Sequence, residues 1–279
     1  MAASVRLPPA RSFALHFCAL ASGSKGNALF VGRRGRGVLV DAGLSGRRLT
    51  ERLAARGLAP AGIRAVVVTH EHRDHVSGVG VWARRYRVPV YLAEGCRAAA
   101  EGVLGADGLR GVDVREFALG RPFEAGGLEF LPFSTSHDAA CSVGFRVSDG
   151  AAVAGIAADL GHVTGLVRHS LAGAHLLYLE ANHDEDLLVN GPYPWFLKQR
   201  VRSRHGHLSN DACAALVDEL LHDRLTAVVL GHLSETNNRP RLAYGSVAQV
   251  LRARGAADDV TLLVARQDRS GRVVAVRRP

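Results

Sequence analysis

The chain has 279 residues, with 35 Lys and Arg against 26 Asp and Glu and a formal net charge of +9. It is 47% hydrophobic and 22% charged, which is typical of a globular protein and excludes a disordered, collagen-like or coiled-coil chain. No apolar run approaches the roughly 18 residues that cross a bilayer, and residues 1–11 lack the pattern of a signal peptide. We expect a soluble, cytoplasmic protein whose basic charge is compatible with nucleic acid.

Short β-branched runs alternate with helical patterns along the first half of the chain. The patterns predict strands at residues 14–20, 28–31, 37–40, 64–68, 88–92 and 128–132. Helices are predicted at residues 47–56, where Leu49 and Leu53 share one face, and at 76–87.

The second half continues this alternation, which indicates sheets covered by helices. The patterns predict strands at residues 151–157, 175–179, 226–230, 260–264 and 272–276 and helices at 210–221 and 241–254. No break in charge or composition divides the chain. We therefore predict a flexible N-terminus at residues 1–12 and a single domain at 13–279.

Four potential metal ligands follow the predicted strand 64–68 in close succession: His70, His72, Asp74 and His75. Imidazole and carboxylate groups bind Zn, Mn or Fe where no thiolate is present, and the four cysteines form no CxxC pair. His70 and His72 point the same way at a strand end, because side chains repeat every two residues. A tight turn then presents Asp74 and His75 from the other side, so one loop supplies ligands to two neighbouring ions.

Three further potential ligands each follow a later predicted strand: His137, Asp159 and His232. Each one alone is a weak signal, because a polar residue after a strand is common. Together, and in this order, they indicate that ligands from several strand ends converge at one sheet edge.

The ligand series resembles the five-motif set of the metallo-β-lactamase superfamily, and 41–43 (DAG) resembles its early Asp-x-Gly, whose Asp supports the metal-binding histidines. The chain is more closely similar to the YycJ/WalJ-type bacterial metallo-hydrolases, from about Phe13 to its end. Five segments carry that similarity: 22–27 (SGSKGN), 180–184 (EANHD), 191–195 (GPYPW), 206–210 (GHLSN) and 232–238 (HLSETNN).

The resemblance implies an α+β fold, a four-layer αββα sandwich of two mixed β-sheets flanked by helices. It implies two divalent ions, Zn, Mn or Fe, at one edge of the sheets. One ion is then bound by His70, His72 and His137. The other is bound by Asp74, His75 and His232, and Asp159 bridges the two ions. A hydroxide shared between the ions is then the nucleophile, and Asp74 belongs to the catalytic centre as well as to the ligand set.

His207 is the candidate general acid, because segment 206–210 is similar to a Gly-His-Ser/Thr segment of tRNA-processing nucleases. A His beside a metal cluster titrates near neutral pH, which suits proton donation to a leaving oxygen. His183 is a second candidate, as a catalytic or substrate-contacting residue, and Asp184 is available to orient either ring. The alternatives are a helix cap for His207 and a purely structural role for His183.

The superfamily covers several reactions, so the fold alone does not select a substrate. Phosphodiesters are favoured by Asp159, which many lactamases replace with Cys, and by the nuclease-like His207. Trp195 and Phe196 also precede a basic run at 198–204, which can hold phosphates while a ring stacks on a base or wedges a duplex end. The alternative is an amphipathic helix whose buried face holds Trp195, Phe196 and Val201.

The resemblance implies a 5′-to-3′ exonuclease of duplex DNA that acts in repair or turnover. One alternative is a small-molecule hydrolase on the same dinuclear site, acting on a thioester, lactone or cyclic nucleotide. Another is a regulatory binding protein with structural metals, which the complete ligand set argues against. A β-CASP ribonuclease is disfavoured, because the segment between Asp159 and His232 is too short for the inserted domain of that class.

Overall fold

The computed structural model describes residues 15–33 and 35–276, so the predicted flexible N-terminus at 1–12 lies outside the described residues. Two seven-stranded sheets face each other, and helices cover their outer sides. This arrangement confirms the predicted αββα sandwich. Within the described residues, no helix combines the length and the apolarity that crossing a membrane requires.

The first sheet contains the strands β1 (Leu15–Ala21), β2 (Ala28–Arg33), β3 (Arg36–Val40), β4 (Ile63–Val67), β5 (Val90–Ala93), β6 (Val114–Phe117) and β14 (Val274–Val276). Their order is β14-β1-β2-β3-β4-β5-β6. The pairs from β14 to β3 are antiparallel and those from β3 to β6 are parallel. The carboxyl ends of β3 and β4 therefore meet at one edge of this sheet.

The second sheet contains β7 (Phe123–Ala125), β8 (Leu128–Ser134), β9 (Val143–Ser148), β10 (Val153–Ala157), β11 (Leu176–Glu180), β12 (Ala227–Gly231) and β13 (Thr261–Val264). Their order is β13-β12-β11-β10-β9-β8-β7. The pairs from β7 to β10 are antiparallel and those from β10 to β13 are parallel. The ends of β10, β11 and β12 are therefore neighbours.

The helices are α1 (Gly46–Ala54), α2 (Arg73–Val76), α3 (Val79–Tyr86), α4 (Arg97–Leu104), α5 (Gly165–Leu171), α6 (Glu185–Asn190), α7 (Trp195–Arg202), α8 (Asn210–Leu220) and α9 (Pro240–Ala253), with a 3₁₀ turn at Pro60–Gly62. Helices α1 and α3 contact the first sheet, whereas α5 and α9 contact the second and enclose α8.

The strands beside the site are buried on both faces, which explains their nearly continuous apolar sequences. In β11, Leu176 and Tyr178 belong to the core between the sheets, whereas Leu177 and Leu179 belong to the core under the outer helices. The Tyr178 ring lies 5.7 Å from that of Phe17 in the opposite sheet. Only the end of such a strand can present a polar group to solvent.

Each predicted strand or helix corresponds to an observed one, although its first or last residue differs. The helix predicted at 76–87 is wrong in that it is not continuous. The structure divides this region into α2 and α3 at Gly78, whose N–H donates to the Ala42 carbonyl at 2.8 Å. That hydrogen bond joins the turn to the loop after β3. The sequence patterns did not predict α4, β6, β7, β9, α5 and α6, of which β6 and β7 are short and partly exposed.

Gly43 lies where the loop after β3 meets the ligand-rich loop after β4. Its N–H donates to the Asn27 carbonyl at 2.8 Å, and the Asn27 N–H donates to the Asp74 carbonyl at 2.7 Å. A Cβ at Gly43 would lie 1.6 Å from the Asp74 carbonyl oxygen. Glycine is required here because two backbones approach each other closely.

We expect Gly43→Ala to lower the free energy of unfolding by about 2 kcal/mol or more, since its methyl group must displace the Asp74 backbone. Gly245→Ala in α9 is the matched control, because a Cβ there would meet nothing within 4 Å. Alanine favours a helix over glycine by about 1 kcal/mol, so the control should be slightly stabilised. Urea unfolding measures both variants, and equal stabilities would contradict this close packing.

Candidate active site

Asp41, which directly follows β3, holds the ligand-rich loop after β4 in place through hydrogen bonds. The Asp41 carboxylate accepts hydrogen bonds from the Thr69 N–H at 2.8 Å and the Thr69 hydroxyl at 2.9 Å. Its Oδ2 also lies 2.8 Å from Nδ1 of His75, which fixes that ring with Nε2 toward the site. The buried Asp41 therefore orients a potential ligand through its far nitrogen.

Four of the predicted ligands form a first group, in which one atom from each lies within 4.8 Å of the others: His70, His72, His137 and Asp159. Nε2 of His70 is 3.1 Å from Oδ2 of Asp159. Nε2 of His137 is 3.3 Å from Nδ1 of His72 and 3.6 Å from the same Asp159 oxygen. The loops after β4, β8 and β10 thus meet at one point.

A second group adjoins the first and consists of Asp74, His75 and His232. Oδ2 of Asp74 lies 3.5 Å from Nε2 of His75 and 3.5 Å from Nε2 of His232. Asp159 connects the groups, since its Oδ2 is also 3.2 Å from Nε2 of His75. The structure thus brings all seven predicted ligands together, with Asp159 between the two groups.

This donor set fits divalent cations. Nε2 of His70 and Oδ1 of Asp159 are buried and make no hydrogen bond of good geometry among the described residues, although they lie 3.1 Å from Oδ2 of Asp159 and 2.7 Å from Nδ1 of His232, respectively. Polar atoms buried in this way cost free energy unless another group satisfies them. Imidazole nitrogens and carboxylate oxygens, with no thiolate, suit borderline or hard ions such as Zn, Mn or Fe. Burial lowers the pKa of His70 to about 4, so the ring is neutral as a ligand must be.

Backbone strain is concentrated at the strand ends that carry the site. Among described residues other than glycine, a positive φ occurs at four, three of which are Asp41 (63°), Asp159 (44°) and His232 (54°). These residues follow β3, β10 and β12. Left-handed backbone is costly for residues with a side chain, and such strain clusters at functional sites.

The segment 22–27, which the sequence analysis noted without assigning a role, braces both sheets. The Ser22 hydroxyl accepts the His232 N–H at 2.6 Å and lies 2.8 Å from the Tyr178 hydroxyl. The Asn27 side-chain amide donates to Oδ2 of Asp74 at 3.0 Å. One loop of the first sheet therefore positions two residues of the second ligand group, Asp74 after β4 and His232 after β12 of the other sheet.

Glu180, at the end of β11, is a functional candidate that the sequence analysis did not single out. Its fully buried carboxylate lies 2.7 Å from Nδ1 of His207 and 3.0 Å from Nδ1 of His232 through Oε1. Its Oε2 accepts the N–H groups of Leu160 at 2.7 Å and Leu208 at 3.2 Å. Asp159, Glu180, His207 and His232 also have one ligand-type atom each within 4.8 Å of the others. Because both carboxylate oxygens of Glu180 already have partners, we assign it to orienting the two histidines.

Charge and burial oppose each other at this pair. Burial alone would raise the pKa of Glu180, but the charge and hydrogen bond of His207 lower it to about 2. Burial alone would lower the pKa of His207, but the Glu180 carboxylate outweighs it and the pKa rises above its ordinary value. The Glu180 carboxylate therefore favours the protonated form of His207 beside the ligand groups, with Nε2 free of Glu180.

His207 lies between two cavities. A cavity of about 160 Å³ is lined by His207, His232 and residues of α7, among them Leu197 and Arg200. A second cavity of about 320 Å³ is lined by His207 and His183. The side chain of His207 is 21% exposed, so a substrate in either cavity can reach it.

The structure does not bring His183 into the ligand groups. Its ring is buried, and neither ring nitrogen has a hydrogen-bond partner in the described part of the chain. Nε2 lies 3.7 Å from Oε1 of Glu185. The Asp184 carboxylate, which the sequence made available to orient a histidine, caps α6 through the Leu187 N–H at 3.0 Å instead.

The helix over the aromatic and basic segment is present, but its aromatic residues are not in the core. Val201 is buried, as the amphipathic alternative predicted. Trp195 is 63% exposed and Phe196 is 72% exposed, which contradicts that alternative for these two residues. The first turn of α7 has an outward apolar surface because only the Leu197 and Val201 side faces the protein.

The fold and the converging ligand groups define a metallo-β-lactamase-type hydrolase. The family model described as beta-lactamase superfamily domain matches residues 36–232, and the chain belongs to this superfamily. It is 36% identical to the exodeoxyribonuclease YycJ of Bacillus anthracis, over 86% of this chain and 90% of that protein. It is 35% identical to the exodeoxyribonuclease WalJ of Streptococcus pneumoniae, over 83% of this chain and 86% of that protein.

Solved structures share the fold at lower sequence identity. The metallo-beta-lactamase fold protein YhfI from Bacillus subtilis superposes with a TM-score of 0.70 at 16% identity, over 94% of this chain and 99% of that one. The short form of human tRNase Z superposes with a TM-score of 0.63 at 18% identity, over the same shares, 94% and 99%. The order of layers is therefore common to proteins with divergent sequences.

We expect Glu180→Ala to lower the free energy of unfolding of the metal-free protein by about 3 kcal/mol, because two histidines and two N–H groups lose their acceptor. Glu180→Gln should lose less, since one acceptor oxygen remains. The matched control is Glu235→Ala, whose carboxylate is 49% exposed and pairs with Lys25. Its effect should stay below about 1 kcal/mol. Equal unfolding midpoints in urea for Glu180→Ala and Glu235→Ala would contradict this role.

Proposed function

We propose that this protein is a metal-dependent DNA exonuclease. The observation that carries the proposal is the pair of adjoining ligand groups connected by Asp159, with His207 beside them on the Glu180 carboxylate. The two relatives at 36% and 35% identity, both named exodeoxyribonucleases, support phosphodiesters in DNA as the bonds that are cleaved. The basic run on and after α7 supports a polyanionic substrate.

The proposed metal ligands are assigned to two ions, one for each of the two ligand groups. One divalent ion would be held by His70, His72 and His137; the other would be held by Asp74, His75 and His232, with Asp159 between them. When bound, such a pair lowers the pKa of a water molecule and stabilises negative charge on a phosphate.

Asp74 has a second proposed role as a proton acceptor. Its side chain is 23% exposed, whereas that of Asp159 is 2% exposed. Oδ2 of Asp74 accepts the Asn27 side-chain amide, so Oδ1 is the oxygen that can take a proton from the attacking water. The hydrogen bonds of His232 and His75 offset the effect of burial and keep the pKa of Asp74 low, so the group is ionised.

His207 is the proposed general acid. Nδ1 is bound to Glu180, and Nε2 is the nitrogen that can protonate the leaving 3′ or 5′ oxygen of the DNA strand. The raised pKa favours the protonated ring, which is the state that a general acid needs before the reaction. We assign His183 to substrate contact from the larger cavity, because its ring has two unpaired nitrogens in that wall.

We expect Mn²⁺-dependent release of mononucleotides from end-labelled linear duplex DNA, because the histidine and carboxylate ligands suit that ion. EDTA should abolish the release, and His72→Ala should lower it by more than about a hundredfold, since one ion loses a ligand. Labels at the 5′ and 3′ ends give the polarity, which we expect to be 5′-to-3′. No release from wild-type protein that carries two ions would contradict the proposal and favour a small-molecule ester or thioester.

We expect His207→Gln to lower kcat for DNA by about 10²- to 10⁴-fold while the metal content is retained, because a proton donor is lost and not a ligand. The matched control is His205→Gln, an exposed histidine two positions earlier, which should keep the wild-type kcat. The loss should be smaller for a p-nitrophenyl phosphodiester, whose leaving group needs little protonation. An equal loss on both substrates would contradict the role of His207 as an acid.

A further inference from the structure

Helix α7 forms a wall of the smaller active-site cavity. Leu197, Arg200 and Val201 line that cavity together with His207 and His232. The helix is connected directly to the candidate general acid, since the His207 N–H donates to the Val201 carbonyl at 2.9 Å. The first residues of α7 are therefore direct chain neighbours of residues that line the cavity.

The outer side of α7 begins with two adjacent aromatic rings that no described residue covers. At 63% and 72%, Trp195 and Phe196 are the most exposed large hydrophobic side chains of the described residues, and Val189 nearby is 43% exposed. Burial of such side chains would stabilise the fold, so the fold forgoes a stabilising contribution here. A grouped apolar surface of this kind marks an interaction site.

The rings are carried on a rigid support. Pro192 and Pro194 flank Tyr193 before the helix, and Pro194 is its N-cap residue, so their φ angles are fixed. The Lys198 ammonium donates to the Val189 carbonyl at 2.7 Å and ties the helix to the end of α6. Little conformational entropy is lost when a ligand binds rings that are already in place.

The surroundings of the rings are basic. Residues 187–210 contain no Asp or Glu but four cations: Lys198, Arg200, Arg202 and Arg204. Arg200 pairs with Asp138 at 2.6 Å and Arg202 with Glu185 at 3.3 Å. Lys198 and Arg204 have no carboxylate within 4.0 Å in the described part of the chain.

From this we infer that Trp195 and Phe196 are a stacking platform for unpaired nucleobases at the DNA end, with Lys198 and Arg204 on the neighbouring phosphates. Rings beside cations that no carboxylate of the described residues neutralises match a single strand, in which a π-face accompanies every phosphate. Stacking does not discriminate between bases, as an exonuclease needs. The inference rests on the proposed function, since it takes DNA as the substrate of the adjoining cavity.

The tryptophan fluorescence of the wild-type protein can detect this contact without a label. It has two tryptophans, of which Trp82 is fully buried and Trp195 is exposed. We expect DNA with a single-stranded overhang, added in EDTA so that no cleavage occurs, to quench the Trp195 emission and to protect it from acrylamide. Blunt duplex of the same length should quench less, because its end bases are paired.

Anisotropy with labelled overhang DNA tests the residues. We expect Trp195→Ala and Phe196→Ala each to raise the Kd by about tenfold, and Trp195→Phe to restore most of the affinity, since a ring is retained. Lys198→Ala should reduce the dependence of log Kd on log salt by about one. Tyr244→Ala, which removes a 45% exposed aromatic from α9, is the control and should bind as wild type. Thermal unfolding checks that each variant is folded.

The outcomes separate this inference from the proposed function. Wild-type protein that cleaves DNA, with unchanged Kd values in both ring variants, would overturn the platform and leave the nuclease standing. Protein that binds overhang DNA through the rings but does not cleave it with Mn²⁺ would overturn the proposed nuclease and leave the platform standing. Self-association of the wild type that Trp195→Ala abolishes, at unchanged DNA affinity, would make the surface an interface between copies of this chain and overturn the inference.

Discussion

The structure depends on a buried network in which carboxylates and imidazoles from both sheets balance one another. Asp159 joins the sheets, because it is 2.7 Å from Nδ1 of His232 in its own sheet and 3.2 Å from Nε2 of His75 in the other. Ser22 adds a neutral link between the same sheets. Ionised groups this deeply buried are tolerated only when each has partners, so the network constrains every loop at this edge.

The network requires strained backbone conformations around it, and the packed core holds those conformations in place. Left-handed φ angles at Asp41, Asp159 and His232 turn the chain sharply at strand ends. The close approach at Gly43 lets two loops share the space above β3 and β4. Strands with apolar residues on both faces hold these turns in place, since their register cannot slip without exposing a core face. A rigid double sheet is therefore the condition for strained but precise loops.

Glu180 and the segment after it connect the ligand groups to the side of the site where we propose that the substrate binds. Glu180 uses one oxygen for two histidines that belong to different functions, a proposed ligand and a proposed acid. The segment that follows returns through α7 to His207, so the exposed rings of Trp195 and Phe196 are attached to the backbone that positions the proposed acid. The proposed substrate contact and the proposed proton donor thus lie on one continuous stretch of chain, residues 180–210.

The sequence by itself determined the fold class and the composition of the ligand groups. Those residues are the polar groups that directly follow apolar strands, and parallel strands bring such ends together whatever the loops do. It did not determine that Glu180 serves His207, because the partner depends on how β10, β11 and β12 lie beside one another. Nor did it determine which side of α7 is covered: an amphipathic pattern gives the apolar side, but only the packed neighbours decide whether Trp195 and Phe196 face the core or the solvent.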